Sequence, residues 1–179
     1  MKNIALTGFM GAGKTTVGKK LAEKLNMIFI DCDSYIEENE GISIAEIFKN
    51  FGEEHFRNLE KKAIKKICEK SGQVIALGGG AVLNSENAAI LKNTCIIIYL
   101  EITTETVTNR IFGDKKRPLL KNEDEIRSLL LKRQPYYIKI ADIIINANGS
   151  CDDTIKLIVG RGFTPAAPLV IKERYMKNK

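Results

Sequence analysis

One eight-residue segment near the amino terminus restricts the possible folds of this chain more than any other. Residues 8–15 read Gly-Phe-Met-Gly-Ala-Gly-Lys-Thr, a full match to the pattern GxxxxGK[ST]. Apolar residues 4–6 before it predict a short buried strand, and residues 14–25 after it carry an apolar stripe at helical spacing. A glycine-rich loop at a helix start presents its backbone N–H groups to an anion. The segment therefore predicts a phosphate-binding loop in an α/β domain.

Within this loop, the Lys14 ammonium is expected to reach the β- and γ-phosphates of a nucleotide, and the Thr15 hydroxyl is placed to ligate Mg²⁺. The predicted nucleotide contacts in this segment are Gly11, Ala12, Gly13, Lys14, Thr15 and Thr16. An ordinary helical position is the alternative for Thr16. A glycine-rich turn without a ligand is the alternative for the whole segment.

Strand-like and helix-like segments alternate along the rest of the chain. Further strands are predicted over residues 27–30, 74–77, 95–100 and 142–145. Helices are predicted over residues 43–70 with a break near Gly52, and over 85–91, 103–111, 123–131 with an extension toward Ile140, and 152–159. This alternation predicts an α/β fold with a five-stranded parallel sheet and helices on both faces. No linker divides the chain, so a single domain over residues 1–179 is expected.

Composition narrows the class of protein and its compartment. No apolar run approaches the ~18–20 residues that span a bilayer, and no cleavage site follows the first strand. The four cysteines form no CxxC pair, which argues against a zinc site and favours a reducing cytoplasm. The net charge of +6 fits nucleic acid, an acidic membrane surface or small anions. The lysines are spread along the chain instead of forming one block, which argues against nucleic acid.

Two carboxylates, Asp31 and Asp33, flank Cys32 at the end of the second predicted strand. Carboxylates at the carboxyl ends of parallel strands lie beside the ligand crevice, and strand alternation would place these two on one face. One could hold Mg²⁺, and the other could accept the proton of an acceptor hydroxyl. The alternative is that Asp33 caps a following helix.

Four further features favour a ligand, each with a structural alternative. Arg57 and Glu60 stand three residues apart on a predicted helix, where a surface ion pair is the alternative. The glycines at 78–80 suit a ligand lying against bare backbone, with a plain turn as the alternative. Arg117 lies in a charged stretch that is a surface loop or a lid closing over phosphates. Arg133 could instead be a cation near a helix carboxyl end.

The order and spacing of these residues resemble the shikimate kinase family from Met1 to about Gly160. The specific part is Arg57-x-x-Glu60-x-x-x-Ile64, followed by Val74-Ile75-Ala76-Leu77-Gly78-Gly79-Gly80-Ala81-Val82. The run Arg133-x-Pro135-x-Tyr137-x-x-x-Ala141 is similar to that family as well. The phosphate-binding loop by itself indicates only a nucleotide, because many unrelated proteins share it.

The resemblance implies ATP as co-substrate, Mg²⁺ as cofactor and shikimate as acceptor. It implies that Asp33, Arg57, Gly79, Gly80 and Arg133 bind shikimate, that Glu60 orients Arg57, and that Asp31 helps Thr15 to hold Mg²⁺. It also implies that Arg110 packs on adenine and that Arg117 faces the phosphates from a lid. Catalysis would then rest on Asp33, Lys14 and Arg117.

The implied protein is a monomeric kinase of the P-loop NTPase fold, with no nucleic-acid or membrane partner. Its acceptor-binding segment would span about 33–60 and its lid about 112–121, while 163–179 stays unassigned. A kinase for gluconate or a nucleoside monophosphate is one alternative. A nucleotide-binding regulator or nucleic-acid binder without catalysis is another.

Overall fold

Five parallel strands form a sheet through the part of the chain that the computed structural model describes, residues 2–112 and 123–160. The strands are β1 Asn3–Thr7, β2 Ile28–Asp31, β3 Gln73–Ala76, β4 Cys95–Glu101 and β5 Ile143–Asn146. Their order across the sheet is β2-β3-β1-β4-β5, with every neighbouring pair parallel. The predicted α/β fold with a five-stranded parallel sheet is therefore confirmed.

The helices alternate with the strands, as the sequence predicts. They are α1 Lys14–Leu25, α2 Cys32–Glu40, α3 Ile44–Ile67, α4 Ser85–Thr94, α5 Thr104–Phe112, α6 Glu123–Ile140 and α7 Cys151–Gly160, with a short 3-10 helix over Ala81–Leu83. From the sequence, α2 is expected only as a helix that Asp33 could cap. Because α2 starts directly after β2, Cys32 and Asp33 belong to its first turn and not to the strand.

The central strands are covered on both faces, which explains their unbroken apolar runs. All five residues of β1 are buried, and in β4 the side chains of Ile97, Ile98, Tyr99 and Leu100 are almost fully enclosed. The Tyr99 ring stacks on Tyr137 of α6 with ring centroids 5.2 Å apart. This stack connects the centre of the sheet to the helix that also carries Arg133.

Helix α3 begins with a capping box and breaks at the predicted glycine. The Ser43 hydroxyl accepts from the Glu46 N–H, and the Glu46 carboxylate accepts from the Ser43 N–H at 2.9 Å. Gly52 has φ 82° and ψ 177°, a conformation that interrupts the helical hydrogen bonds. The break separates a first segment of α3 from the segment that carries Arg57 and Glu60.

The carboxyl ends of the strands bring the candidate residues to one edge of the sheet. The loop over 8–13 follows β1, Asp31 ends β2, and the glycines at 78–80 follow β3. In the order β2-β3-β1-β4-β5, the chain runs from β1 first to β2 and β3 on one side of β1 and later to β4 and β5 on the other side. Connections that diverge in this way leave a crevice at the carboxyl edge of the sheet. Sheet topology thus predicts where a ligand binds before any side chain is considered.

Parts of the predicted organisation lie outside the described residues. These are Arg117, the lid apart from Phe112 and the tail over 163–179. In the two stretches that the structure covers, no helix has the length and apolar character needed to cross a membrane.

Candidate active site

The phosphate-binding loop wraps around an open centre because three of its glycines adopt positive φ. Gly8, Gly11 and Gly13 have φ of 145°, 76° and 85°. A Cβ atom on Gly8 would also lie 2.7 Å from the Leu100 carbonyl oxygen, so no larger residue fits there. The Lys14 ammonium donates to the carbonyls of Gly8 and Phe9 at 2.8 and 3.0 Å. Lys14 therefore lies along the loop, at the start of α1.

Asp31 uses its two carboxylate oxygens for two different purposes. Oδ1 accepts from the N–H groups of Asp33 and Ser34 at 3.0 and 3.4 Å, which caps α2. Oδ2 accepts from the Thr15 hydroxyl at 2.7 Å. The helix cap is thus Asp31 and not Asp33, and the expectation that strand alternation aligns the two is wrong, because β2 ends at Asp31. Because Asp31 caps α2, the Asp33 side chain is available for another role.

Asp33 and Glu60 each hold one buried oxygen with no hydrogen-bond partner among the described residues. These atoms are Asp33 Oδ1 and Glu60 Oε1. A Cβ atom on Gly78 would lie 2.9 and 2.8 Å from them, so the backbone must approach both carboxylates closely. Burial is the main cause that raises the pKa of Asp33, and the negative charge of Asp31 is the second. Burial raises the pKa of Glu60 against the opposing charge of Arg57.

Arg57 is held between two glutamates of its own helix. Its Nη1 donates to Glu60 Oε2 at 2.9 Å, while Nε and Nη2 donate to Glu53 Oε1 at 3.2 and 3.0 Å. Glu60 is only 1 % exposed, so this ion pair is buried on one side and is not the surface pair that was the alternative. A Cβ atom on Gly80 would lie 2.7 Å from Arg57 Nη1. The guanidinium therefore lies directly against the three glycines over residues 78–80, called the glycine loop below.

Arg133 and Tyr137 reach the same loop from α6. The two residues are four apart and so share one face of the helix. A Cβ atom on Gly79 would lie 3.5 Å from Arg133 Nη1, and the Tyr137 hydroxyl donates to the Gly79 carbonyl at 2.5 Å. The glycine loop is thus enclosed by Arg57 from α3 and by Arg133 from α6. Two guanidinium groups near bare backbone form a site suited to a small anion.

Arg110 of α5 connects two loops of the site. Nη1 donates to the Gly11 carbonyl at 3.1 Å, and Nη2 donates to the carbonyls of Ala147, Asn148 and Gly149 at 3.0, 3.3 and 2.9 Å. Gly11 belongs to the phosphate-binding loop, and the other three follow β5. The guanidinium therefore fixes the separation of the two loops.

A cavity of about 490 Å³ lies between these groups. Its walls include the phosphate-binding loop, Asp31, Asp33, Gly79, Arg110 and the segment after β5. Arg57, Gly80 and Arg133 do not line it, but they lie around the glycine loop at its border. A nucleotide-sized cavity beside a cationic site with a buried carboxylate suits transfer of a phosphoryl group to a small anionic alcohol.

Comparison with known proteins agrees with this arrangement. A family model for shikimate kinase matches residues 10–160, most of the chain. The chain belongs to the shikimate kinase family. The shikimate kinase of Caldanaerobacter subterraneus subsp. tengcongensis is 48 % identical over 159 residues, which cover 87 % of this chain and 91 % of that one. The shikimate kinase of a Sulfurihydrogenibium species is 46 % identical over 149 residues, covering 83 % and 89 %.

Solved structures show the same fold. Shikimate kinase from Acinetobacter baumannii, in complex with shikimate, superposes with a TM-score of 0.81 at 37 % identity, covering 92 % of this chain and 96 % of that one. Shikimate kinase from Bacteroides thetaiotaomicron superposes with a TM-score of 0.83 at 34 % identity, covering 91 % and 99 %. The five-stranded sheet described above is therefore the fold of shikimate kinases.

The structure also contains three site features that the sequence does not predict. Glu53 shares the Arg57 guanidinium, Tyr137 anchors Gly79, and the segment from Ala147 to Cys151 forms a wall of the cavity. The position of this segment directly after the last strand could have indicated that wall, because ligands bind at the carboxyl ends of strands. The spacing of Arg133 and Tyr137 could have indicated a shared helix face.

Arg110→Ala is expected to raise the KM for ATP about tenfold or more and to leave the KM for shikimate within twofold. The variant loses the guanidinium that joins Gly11 to the loop after β5, and hydrogen bonds from a charged donor contribute about 1.5–3 kcal/mol each. Steady-state kinetics with each substrate varied in turn measures the effect. Arg127→Ala, at an exposed position of α6, is the matched control. An unchanged KM for ATP would show that the connection is not needed for nucleotide binding.

Proposed function

We propose that this protein transfers the γ-phosphoryl group of ATP to a hydroxyl of shikimate, giving shikimate 3-phosphate and ADP. The ATP phosphates lie in the loop over residues 8–15, and shikimate lies against the glycine loop beside Asp33. The observation that carries this assignment is the pair of guanidinium groups, Arg57 and Arg133, on either side of Gly79 and Gly80. A planar carboxylate suits these forked donors, whereas a neutral sugar does not require them.

Asp33 is the proposed proton acceptor for the attacking hydroxyl. It lines the nucleotide cavity and approaches the glycine loop through Gly78. A carboxylate with a raised pKa is a better base than an ordinary aspartate, because its protonated form is more stable. Lys14 supports the transfer by placing positive charge where the phosphoryl oxygens gain negative charge. Glu60 is proposed to keep Arg57 oriented through the bond at 2.9 Å.

Thr15 and Asp31 are the proposed holders of Mg²⁺. Their oxygens lie side by side at 2.7 Å, and a hydroxyl with one carboxylate oxygen is a ligand set that suits Mg²⁺, which keeps most of its waters. Since Asp31 Oδ1 caps α2, only Oδ2 is available to the ion. When bound, Mg²⁺ would neutralise charge on the phosphates.

Several further expectations belong to the same proposal. Gly11, Ala12, Gly13 and Thr16 contact ATP, Arg110 also packs on adenine, and Arg117 closes over the phosphates from a lid. The protein acts in the cytoplasm as a monomer, and neither nucleic acid nor a membrane is its partner. Retention of DNA or RNA in a mobility assay with steep salt dependence would contradict the last point.

A coupled assay of ADP release tests the acceptor. Shikimate, gluconate, several nucleoside monophosphates and a shikimate analogue without the carboxylate are compared at equal ATP and Mg²⁺. We expect fast turnover with shikimate alone. If the analogue without a carboxylate is phosphorylated as well as shikimate, the two arginines do not bind a carboxylate. If a nucleoside monophosphate is preferred, the proposed acceptor is wrong.

Arg133→Lys is expected to raise the KM for shikimate about tenfold to a hundredfold while the KM for ATP changes less than twofold. Lysine keeps the charge but lacks the planar fork, so a bidentate contact becomes a single point contact, a loss on the order of 1–3 kcal/mol. The same change at an exposed position, Arg127→Lys, is the control. Calorimetric titration with shikimate checks that the change is in binding. A KM for shikimate that stays unchanged would remove Arg133 from the acceptor site.

A further inference from the structure

Every carbonyl of the glycine loop accepts a hydrogen bond from the protein. Gly78 O accepts from the Ala81 N–H at 3.1 Å, and Gly80 O accepts from the Leu83 N–H at 3.0 Å. Both of these bonds belong to the turn that leads into the short 3-10 helix over 81–83. The middle carbonyl, that of Gly79, accepts from the Tyr137 hydroxyl at 2.5 Å. Tyr137 is thus the one side chain that completes this set within the described residues.

Two N–H groups of the same loop have no acceptor in the part of the chain that the structure describes. Neither the Gly79 N–H nor the Gly80 N–H donates to an acceptor among the described residues. Buried backbone N–H groups are nearly always paired with protein, water or ligand, and Gly80 is buried while Gly79 is partly buried, so these two donors are available to an acceptor that a bound ligand supplies. Gly79 lines the cavity, and Gly80 lies against the Arg57 guanidinium. Because Gly79 lies next to the Arg133 guanidinium and Gly80 next to that of Arg57, these donors belong to the region between the two arginines.

The Tyr137 bond fixes the direction of one of these donors. In a trans peptide the C=O and the following N–H point in opposite directions from one plane, and the described chain contains no cis peptide. Holding Gly79 O towards Tyr137 consequently turns the Gly80 N–H away from α6. Glycine has few conformational limits of its own, so three consecutive glycines need such an external contact to keep one peptide orientation.

Tyr137 is itself held firmly. Its ring is fully buried and stacks on Tyr99 of β4 with centroids 5.2 Å apart. Burial, opposed by the charge of Arg133, raises the pKa of Tyr137 to about 12, so its hydroxyl stays a donor at neutral pH. The Arg133 guanidinium lies one helical turn earlier, on the same face of α6. One helix face thus presents both a charged contact for the acceptor and the anchor for the backbone that the acceptor meets.

We infer that Tyr137 is a positioning residue for the phosphate acceptor: its hydroxyl holds the Gly79 peptide so that the Gly80 N–H donates to an oxygen of the bound acceptor. This inference rests on the proposed acceptor role of the glycine loop. It assigns to Tyr137 an effect on acceptor binding and not on the chemical step. Tyr99 offers a matched comparison, because its hydroxyl is equally buried in the same stack but lacks a well-formed hydrogen bond within the described residues.

Tyr137→Phe and Tyr99→Phe test the inference, since each removes one buried hydroxyl and keeps its ring. For Tyr137→Phe we expect the KM and the calorimetric Kd for shikimate to rise about 3-fold to 10-fold, the range of one neutral hydrogen bond. We expect kcat and the KM for ATP to stay within twofold. For Tyr99→Phe all four quantities should stay within twofold. Equal weakening in both variants would mean that the stack acts only through packing, and an unchanged Kd in Tyr137→Phe would overturn the inference.

Glycine amide resonances give a readout independent of turnover. The protein has 14 glycines, so a spectrum of ¹⁵N-glycine-labelled protein is small enough to assign completely. Tyr137→Phe should move the ¹⁵N resonance of Gly80 upfield in the free protein and reduce its response to shikimate, while Tyr99→Phe should leave both as in the wild type. A Gly80 resonance that is the same in all three proteins would overturn the inference. If the Gly79 and Gly80 resonances of the wild type do not shift when shikimate is added, the glycine loop does not bind the acceptor. The proposed acceptor role of the loop is then wrong, and so is the inference that rests on it.

Discussion

Asp33→Asn is expected to lower kcat by about 10²–10⁴-fold with little change in the KM for shikimate. Asparagine keeps the shape and can still contact a hydroxyl, but it cannot accept the proton that leaves the attacking oxygen, and general base catalysis contributes about this factor. An interaction needed only during transfer affects kcat more than ground-state binding. Steady-state kinetics with shikimate varied at saturating ATP measures the split between the two constants.

The same variant should be at least as stable as the wild type at neutral pH. Burial and the charge of Asp31 raise the folded-state pKa of Asp33 above its unfolded value, so folding favours the neutral form. For such a carboxyl, its contribution to stability falls as pH rises through the unfolded pKa towards the folded pKa. Asparagine removes the charge that is unfavourable above that range. Urea denaturation at neutral pH should therefore give an unchanged or higher midpoint for Asp33→Asn.

The combination of the two results separates a catalytic role from a structural one. Loss of kcat together with loss of stability would indicate that Asp33 is needed for folding. Full activity with unchanged stability would remove Asp33 from the mechanism. Asp31→Asn is an informative comparison, because asparagine also caps helices well, so α2 should persist. Its effect should depend on Mg²⁺ concentration, whereas that of Asp33→Asn should not.

Lys14→Ala is expected to lower kcat by about 10²–10³-fold in a protein that remains folded. Removing one preorganised donor to charge that grows in the transition state typically costs that factor. The side chain is half-buried and donates to Gly8 and Phe9 of its own loop, so its loss affects the loop but opens no cavity in the core. A coupled assay of ADP release at saturating ATP and shikimate measures the effect, and circular dichroism checks the fold.

Lys19→Ala is the matched control for this prediction. Lys19 lies on the exposed side of α1, five residues further along the same helix, and its removal changes the net charge by the same amount. We expect its kcat to stay within twofold of the wild type. Turnover of Lys14→Ala near the wild-type value would exclude the phosphate-binding loop from the reaction. Equal losses in both variants would indicate a general effect of charge on the protein.

The sequence by itself determined the features that depend on neighbouring residues. The loop over 8–15 is recognisable because glycine φ angles and the start of α1 are local properties. The capping box at Ser43 and the break at Gly52 are local in the same sense. The parallel sheet follows from the alternation of strands and helices, since a parallel connection needs a crossover. Membership of the family follows from motif order, which also needs no coordinates.

Only the tertiary structure decided which groups touch across long stretches of chain. Arg110 and Gly11 are 99 residues apart, and Tyr137 and Gly79 are 58 apart, so no local pattern could pair them. That Asp31 and not Asp33 caps α2 depends on β2 ending at Asp31, two residues before the position that strand alternation would require. Asp33 and Glu60 each have a buried oxygen without a hydrogen-bond partner among the described residues, and this depends on how closely α3 packs against the loop after β3. Secondary-structure propensity depends on a few neighbouring residues, whereas the direction and burial of a side chain depend on the packing of the whole domain. That packing brings these groups together as a site.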